Sequence, residues 1–503
     1  MMTLRIASSV VLAACLATSA GAADRFDGVR EYIRTQLVEK SVPSIAVAVA
    51  KDGKIIWEEG FGWADRERRI PATEHTSYSL ASVSKPITTT GIMTLVQAGK
   101  IDLDAPANDY LGGAKLLARV GDARAATVRR LANHTSGLPL HFQDYFADDQ
   151  VQRPAMDLTI LRYGNLVRAP GERTQYSNIG FGVLDYIIER VSGMSYEEYM
   201  RREVFVPLGM TRSSVGIGPG LEDFAAARYN RLGEPLPVMD SDSRGAGGVF
   251  ASAHDLVRFG LFHLKTHLPE QKAILSDASV DEMHRRTADR NVYGLPNPEE
   301  GFGVGFALDQ NEQYPIIQHD GGMDGVATKL QLFPKQRVAI VVLSNASTQL
   351  PADVADRIVS VMLPGRKVKT APVTPAPAFA IPANLAGTWK GIIATYERDL
   401  PVELRFLANG SVQMKVVDQL PALIDRPTLN KGIFTGWAPA RIETPDTQRY
   451  AYTLWLDLSV RGDVINGAVT AHTDRRAPRM GSALTHWMEV RRDSPDVPAA
   501  SAP

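Results

Sequence analysis

Cysteine is nearly absent: Cys15 is the only one in 503 residues, so the chain can form no internal disulfide and depends on its cores. An excess of charge of one sign is missing as well. Lys plus Arg total 55 against 56 Asp plus Glu, and a formal net charge of −1 gives no electrostatic reason to expect nucleic acid as a partner. No apolar run reaches the roughly 20 residues of a bilayer-spanning helix. Gly-x-Ser-x-Gly does not occur, which removes the nucleophile elbow of an α/β-hydrolase. A zinc-hydrolase helix is missing too. His263 and His267 are four apart, but no Glu follows His263 and the next carboxylate is Glu270, so both read as surface residues near a helix end. No metal or cofactor is expected.

What is present divides the chain. Arg5, an apolar stretch over residues 6–17 and Ala20-Gly21-Ala22 form the three parts of an export signal over residues 1–23, which predicts a periplasmic or secreted protein. Leu12-Ala13-Ala14-Cys15 also resembles a bacterial lipoprotein box. Cys15 then has two readings, a small hydrophobe inside the signal or a lipidated thiol, and only the second brings a membrane into play. Pro372, Pro375, Pro377 and Pro382 lie in a run of small residues with neither helical nor strand period. This predicts an extended linker over 364–383, between a domain at 24–363 and another at 384–492. The tail at 493–503 is expected to be disordered.

The first domain mixes both periodicities. An apolar run over 45–50, then Asp52-Gly53, then Ile55-Ile56-Trp57 predicts a hairpin. Helices are predicted over 84–98, 181–191 and 255–263, strands over 329–333 and 338–343, and a helix over 354–362. Strands at both ends with helices between them suggest α+β or α/β architecture. Residues 385–492 alternate instead. Val402, Leu404 and Phe406 interleave with Glu403 and Arg405, Asn409-Gly410 marks a turn, and Asn466-Gly467 predicts another. The pattern is that of a small antiparallel β-barrel, and Gly387-Thr388-Trp389 resembles the opening of lipocalin-like barrels.

Three short motifs carry chemistry. In Ser82-Val83-Ser84-Lys85, residues three apart share a helix face, so the hydroxyl and the amine can meet. A serine alcohol needs a neighbouring base to attack, and a desolvated lysine can be one because burial disfavours its charged form. No other lysine in the chain has a serine three residues before it. Ser82 also stands at a predicted helix N-terminus, where backbone N–H groups can stabilise an oxyanion. In Tyr176-Ser177-Asn178 the phenol can shuttle protons, and Asn178 can orient the lysine or hold a substrate carbonyl. In His319-Asp320-Gly321-Gly322 the paired glycines allow close approach of a substrate, and the Gly322 N–H is a candidate second oxyanion donor.

In this order the set resembles the penicillin-recognising serine hydrolases of the class C β-lactamase type. Leu131-Ala132-Asn133-His134-Thr135-Ser136-Gly137-Leu138, Pro207-Leu208-Gly209-Met210 and Gly247-Gly248 agree in type and order, so the similarity covers roughly residues 28–363. The resemblance implies an α+β fold of an antiparallel sheet flanked by helices plus an all-helical region. It also implies a covalent acyl-enzyme at Ser82, with Lys85 and Tyr176 moving its proton and Asn178, His319, Gly321 and Gly322 binding substrate or oxyanion. His134 reads as structural. Class C β-lactamases head the third motif with lysine and follow it with threonine, where this chain has His319 and Asp320. An imidazole of ordinary pKa, about 6.5, is largely neutral at pH 7, and an Asp pointing inward would repel a substrate carboxylate. Relatives with histidine here resemble D-aminopeptidases, DD-carboxypeptidases and carboxylesterases, and a C-terminal barrel resembles the D-aminopeptidase arrangement. The expectation is an esterase or D-amino-acid peptidase acting on a small-molecule or short-peptide ester or amide. The alternatives are a β-lactamase or DD-carboxypeptidase and, from another class, a non-catalytic binding protein on a hydrolase scaffold. Oligomeric state is left open.

Overall fold

The computed structural model describes residues 24–218, 220–292, 295–366, 379–474, 479 and 481–493. The signal over 1–23 with Cys15, the centre of the predicted linker and the tail from 494 lie outside the described residues.

The chain opens with helix α1 (Asp27–Glu39), then strand β1 (Ser44–Lys51) and strand β2 (Lys54–Asp65). Asp52 and Gly53 both have positive φ, which matches the turn to the right-handed twist of the flanking strands. Residues 45–50 are completely buried, as an uninterrupted apolar strand must be when both faces of its sheet are covered. On its other side β1 pairs with a strand from the far end of the domain, Ile45 opposite Ser344 and Lys51 opposite Val338. The two ends of the domain therefore meet at the middle of one antiparallel sheet, nine strands among the described residues.

Helix α2 (Ser84–Gln97) is buried from Ser84 through Met93 and again at Leu95. It lacks a clear polar face because it runs through the core, and its buried threonines satisfy their hydroxyls within that core. Thr88 donates to the Gly245 carbonyl and Thr90 to that of Pro86. Next come β3 (Phe142–Phe146), α3 (Ile179–Ser192), β4 (Met239–Ser241), the single turn α4 (Arg244–Gly247) and α5 (Ala253–His263). His263 is not the surface residue its spacing suggests. It is 1% exposed, with Nε2 3.1 Å from Thr90 Oγ1 and Nδ1 3.2 Å from His284 Nε2. Phe259 and Phe262 on the same helix pack against its ring, so this helix end faces the core. His267 is half-buried beside Phe262, and Glu270 pairs with Arg258 at 2.8 Å.

Strands β5 (Ile316–Met323), β6 (Val326–Phe333) and β7 (Val338–Ser344) and helix α6 (Leu350–Met362) complete the domain. Alternation along β1 and β7 sends Ile45, Val47, Val49, Val338, Ile340 and Val342 toward α1 and α6, and Ala46, Ala48, Ala50, Ala339, Val341 and Leu343 toward α2 and α5. Small residues on the second face let α5 lie close. A Cβ at Gly260 would stand 3.1 Å from that of Ala339.

The C-terminal strands are β8 (Gly387–Ala394), β9 (Asp399–Phe406), β10 (Val412–Val416), β11 (Asp425–Asn430), β12 (Ile433–Ala438), β13 (Tyr452–Arg461), β14 (Val464–Thr473) and β15 (Ser482–Arg492). They form two meanders joined where β8 pairs with β15, a nearly closed antiparallel barrel. Trp389 is fully buried, donates from Nε1 to the Leu385 carbonyl at 2.9 Å, and carries the Arg492 guanidinium over its ring at 4.4 Å. Asn409-Gly410 is a turn, with Gly410 at φ +86. Asn466-Gly467 is not: both lie inside β14, and the turn falls at Gly462-Asp463. Glycine at 467 answers a close approach instead, because a Cβ there would lie 2.4 Å from the Asp457 carbonyl oxygen.

The barrel and the first domain share hydrogen-bonded strands. β15 pairs with β3, Ser482 opposite Gln143 and Ala483 opposite Phe142, and β3 pairs in turn with β4. No helix among the described residues is long and apolar enough to cross a membrane.

Candidate active site

Ser82 sits in the 3-10 turn Ala81–Val83 that leads into α2. Ala81 has φ +46, a left-handed conformation uncommon for a residue with a Cβ. The turn lifts Ser82 into partial exposure while Ala81, Val83, Ser84 and Lys85 on either side are buried. A residue presented this way is reachable from outside, and the Lys85 amine behind it is not wetted.

Lys85 is 0% exposed. Its Nζ lies 3.2 Å from Ser82 Oγ, 2.8 Å from Asn178 Oδ1 and 2.9 Å from the Ala246 carbonyl oxygen in α4. All three partners are uncharged, and burial pulls the amine well below the usual lysine range. A neutral amine has two N–H donors and one lone pair. With Asn178 and Ala246 taking the donors, the lone pair is left for the Ser82 hydroxyl proton.

Tyr176 closes the other side. Lys85 Nζ is 4.8 Å from the Tyr176 ring centroid and 5.4 Å from that of Phe181. The His134 ring lies against Tyr176 at 4.3 Å, and His134 Nδ1 accepts from the Ser177 N–H at 3.2 Å, so the ring proton is on Nε2. His134 itself is at φ +64. Ser177 Oγ accepts from the Gly180 N–H at 3.1 Å and anchors the start of α3, which places Asn178 at the helix entrance within reach of Lys85. The histidine taken from the sequence as merely structural thus holds the ring and the backbone of the Tyr176 motif.

The third wall is β5. His319 and Gly321 stand opposite Leu330 and Thr328 of β6, on the sheet face toward α2. Gly321 is required there: a Cβ would lie 2.1 Å from Thr328 Oγ1 and 2.2 Å from the Leu80 carbonyl oxygen, pushing the strand off the turn that carries Ser82. Thr328 Oγ1 donates to that same carbonyl at 2.8 Å. Gly322 has open space where a side chain would be. The two-residue turn Asp324-Gly325 makes Met323 and Val326 a hydrogen-bonded pair, so in an antiparallel ladder Gly322 turns its N–H away from β6. His319 is 5% exposed, and its Nδ1 donates to the Asp320 carbonyl at 2.8 Å. Asp320 does not point into the site. Strand alternation places it on the opposite face, where it pairs with Lys329 at 3.0 Å. Asp320 therefore cannot repel a substrate carboxylate as the sequence suggested, and His319 alone bears on the charge of this wall.

Of the residues read from the sequence, Ser82, Asn178 and the Tyr176 ring gather around the Lys85 amine, and Gly321 packs against the Leu80-Ala81 backbone that leads into Ser82. The Ala246 carbonyl was missed, although Gly247-Gly248 beside it was noted. No group of three or more His, Cys, Asp or Glu that could hold a metal occurs among the described residues.

The family profile described as Beta-lactamase matches residues 29–361. Penicillin-binding protein 4 of Amycolatopsis lactamdurans is 29% identical over 388 residues, covering 73% of this chain and 96% of its own. Among solved structures, SurE superposes with a TM-score of 0.63 at 23% identity over 93% of this chain and 99% of its own, so the likeness in fold spans the barrel as well. A class C β-lactamase gives a TM-score of 0.57 at 21% identity, covering 69% of this chain and 97% of its own.

Proposed function

The chain belongs to the Beta-lactamase family, and from that premise we propose that it is an exported serine hydrolase that forms an acyl-enzyme at Ser82, acting on a small ester or amide as a carboxylesterase or D-amino-acid peptidase. The observation that carries this reading is the Lys85 amine, desolvated among uncharged partners and 3.2 Å from the one partly exposed hydroxyl of its motif.

In this scheme Ser82 Oγ attacks the substrate carbonyl carbon, and its proton passes to the Lys85 and Tyr176 pair. The tetrahedral oxyanion is held by the backbone N–H groups of Ser82 and Gly322. Collapse breaks the bond to the leaving alcohol or amine, which takes a proton back from the same pair. Water then repeats the sequence on the acyl-enzyme and releases the acid.

His319 supports the choice of substrate class. It stands where a class C β-lactamase carries lysine, so the wall lacks a permanent ammonium to receive a substrate carboxylate. The similarity to penicillin-binding protein 4 favours a second reading, a DD-carboxypeptidase or β-lactamase. A non-catalytic scaffold is disfavoured by the completeness of the set.

The test is a competition screen. The protein is treated with a fluorophosphonate probe in the presence of short p-nitrophenyl esters, D-amino-acid amides or β-lactams. Protection by esters or D-amino-acid amides supports the proposal, and protection by β-lactams alone selects the second reading.

A further inference from the structure

We infer that Asp457, a residue of the C-terminal barrel, is a positioning residue for Tyr176, so that the active site is completed from outside the catalytic domain. The inference rests on the reading of Tyr176 as a proton-transfer group.

Residues 168–175, which lead directly into Tyr176, form no helix or strand. Its backbone is tied to the first domain at scattered points, such as the Gly171 N–H to the Thr135 carbonyl at 2.7 Å, and the barrel adds a cluster of side-chain contacts. Asp457 lies on β13 and aims its carboxylate at this segment. Arg168 Nη2 donates to Oδ1 at 2.6 Å, Arg173 Nη2 reaches Oδ1 and Oδ2 at 2.9 and 2.8 Å, and Gln175 Nε2 reaches Oδ2 at 3.3 Å. Arg168 Nε donates to Gln175 Oε1 at 3.1 Å, which closes the ring. The barrel also offers the Asp457 carbonyl to Arg168 at 3.2 Å and the Ser459 hydroxyl as a further acceptor.

From Gln175 the connection to the phenol is short. The Gln175 N–H donates to the His134 carbonyl at 2.7 Å, and the His134 ring lies against Tyr176. One carboxylate thus fixes both the chain entering Tyr176 and the residue that packs on its ring.

Arg168 is 1% exposed, and burial pulls its guanidinium down to about 10. Without Asp457 it would be a buried cation that has lost its counter-charge, which is a strong drive for the segment to rearrange. A second bridge between the same segment and the barrel serves as a control. Arg461 Nη2 meets Glu172 at 2.7 Å, but this pair is considerably exposed and does not connect to Gln175.

The experiment compares full-length Asp457→Asn and Arg461→Ala with wild type. Asp457→Asn is expected to lower kcat by roughly tenfold or more while KM changes less, as expected when a reacting group is misplaced and substrate binding is kept. Arg461→Ala is expected to keep both values near wild type. Equal losses in the two variants, or an unchanged kcat in Asp457→Asn, would overturn the inference. Hydrogen exchange reads positioning independently of turnover. The Tyr176 and Ser177 amides should exchange roughly tenfold faster in Asp457→Asn and at the wild-type rate in Arg461→Ala. Unchanged protection in Asp457→Asn overturns the inference even if the enzyme works as proposed. A wild-type protein that no fluorophosphonate labels at Ser82 defeats the hydrolase reading and leaves exchange to decide this one. Should Asp457→Asn fail to fold, Arg173→Gln, which keeps Arg168 paired, is measured the same way. It is expected to move kcat and exchange in the same direction, and wild-type values would overturn the inference.

Discussion

Asn178 accepts a 2.8 Å hydrogen bond from the Lys85 amine, and with the Ala246 carbonyl it fixes which way the lone pair of that amine faces. Replacing Asn178 by Ala frees the amine to turn, and kcat/KM is expected to fall on the order of 100-fold. Asn178→Asp puts a carboxylate in the same place. An opposite charge stabilises the protonated amine, so the acid limb of the kcat/KM profile should move to higher pH. Steady-state rates across pH check both, and a profile that stays in place in Asn178→Asp contradicts the role given to Lys85.

Lys85→Arg retains positive charge and hydrogen-bonding capacity but supplies no base, because a guanidinium does not deprotonate in this range. It should be inactive, with a fold close to wild type by circular dichroism. The wild-type protein should lose esterase or amidase activity on acidification as the Lys85 amine takes up a proton.

The two glycines of the third motif should respond differently. Gly321→Ala forces a methyl against Thr328 and the Leu80 carbonyl, so it should displace β5 from the Ser82 turn and reduce kcat/KM by roughly 100-fold. Gly322→Ala meets nothing within 4 Å and keeps its N–H, so its loss should be about tenfold smaller or less. Kinetics of the pair on one ester check the order, and the reverse order contradicts the geometry.

His486 is buried between the two domains, and burial pulls its imidazole down to about 3. The unfolded chain binds this proton from about pH 6.5 downward, while the folded chain does not until about pH 3. Its contribution to stability is therefore full above pH 6.5 and falls as pH drops through that window, by up to tenfold in the folding constant per pH unit. His486→Gln should make acid destabilisation shallower. Urea denaturation of both proteins at pH 7 and pH 5 measures it.

The elements that define the site were legible because they are local. Ser82 and Lys85 are three residues apart on one turn of helix, the β1–β2 hairpin announces itself at Asp52-Gly53, and barrel alternation shows in 402–406. What was not legible depends on distant partners. Asp320 was ambiguous until strand register put it opposite Lys329. His263 looked like a surface residue because its spacing is helical, but what decides its burial is the packing of His284 and Thr90 around it. Asn466-Gly467 carried the stronger turn signal, yet the close approach of Asp457 explains the glycine, and the turn formed four residues earlier. Asp457 carries no motif at all; its partner Arg168 is 289 residues away in sequence.

The most direct test of the central claim is mass spectrometry of the intact protein after brief exposure to p-nitrophenyl acetate or a fluorophosphonate, with peptide mapping of the adduct. One adduct per chain on Ser82, lost in Ser82→Ala without loss of fold and strongly slowed in Lys85→Arg, is the predicted result. An adduct on another residue, or undiminished hydrolysis by Ser82→Ala, would contradict it.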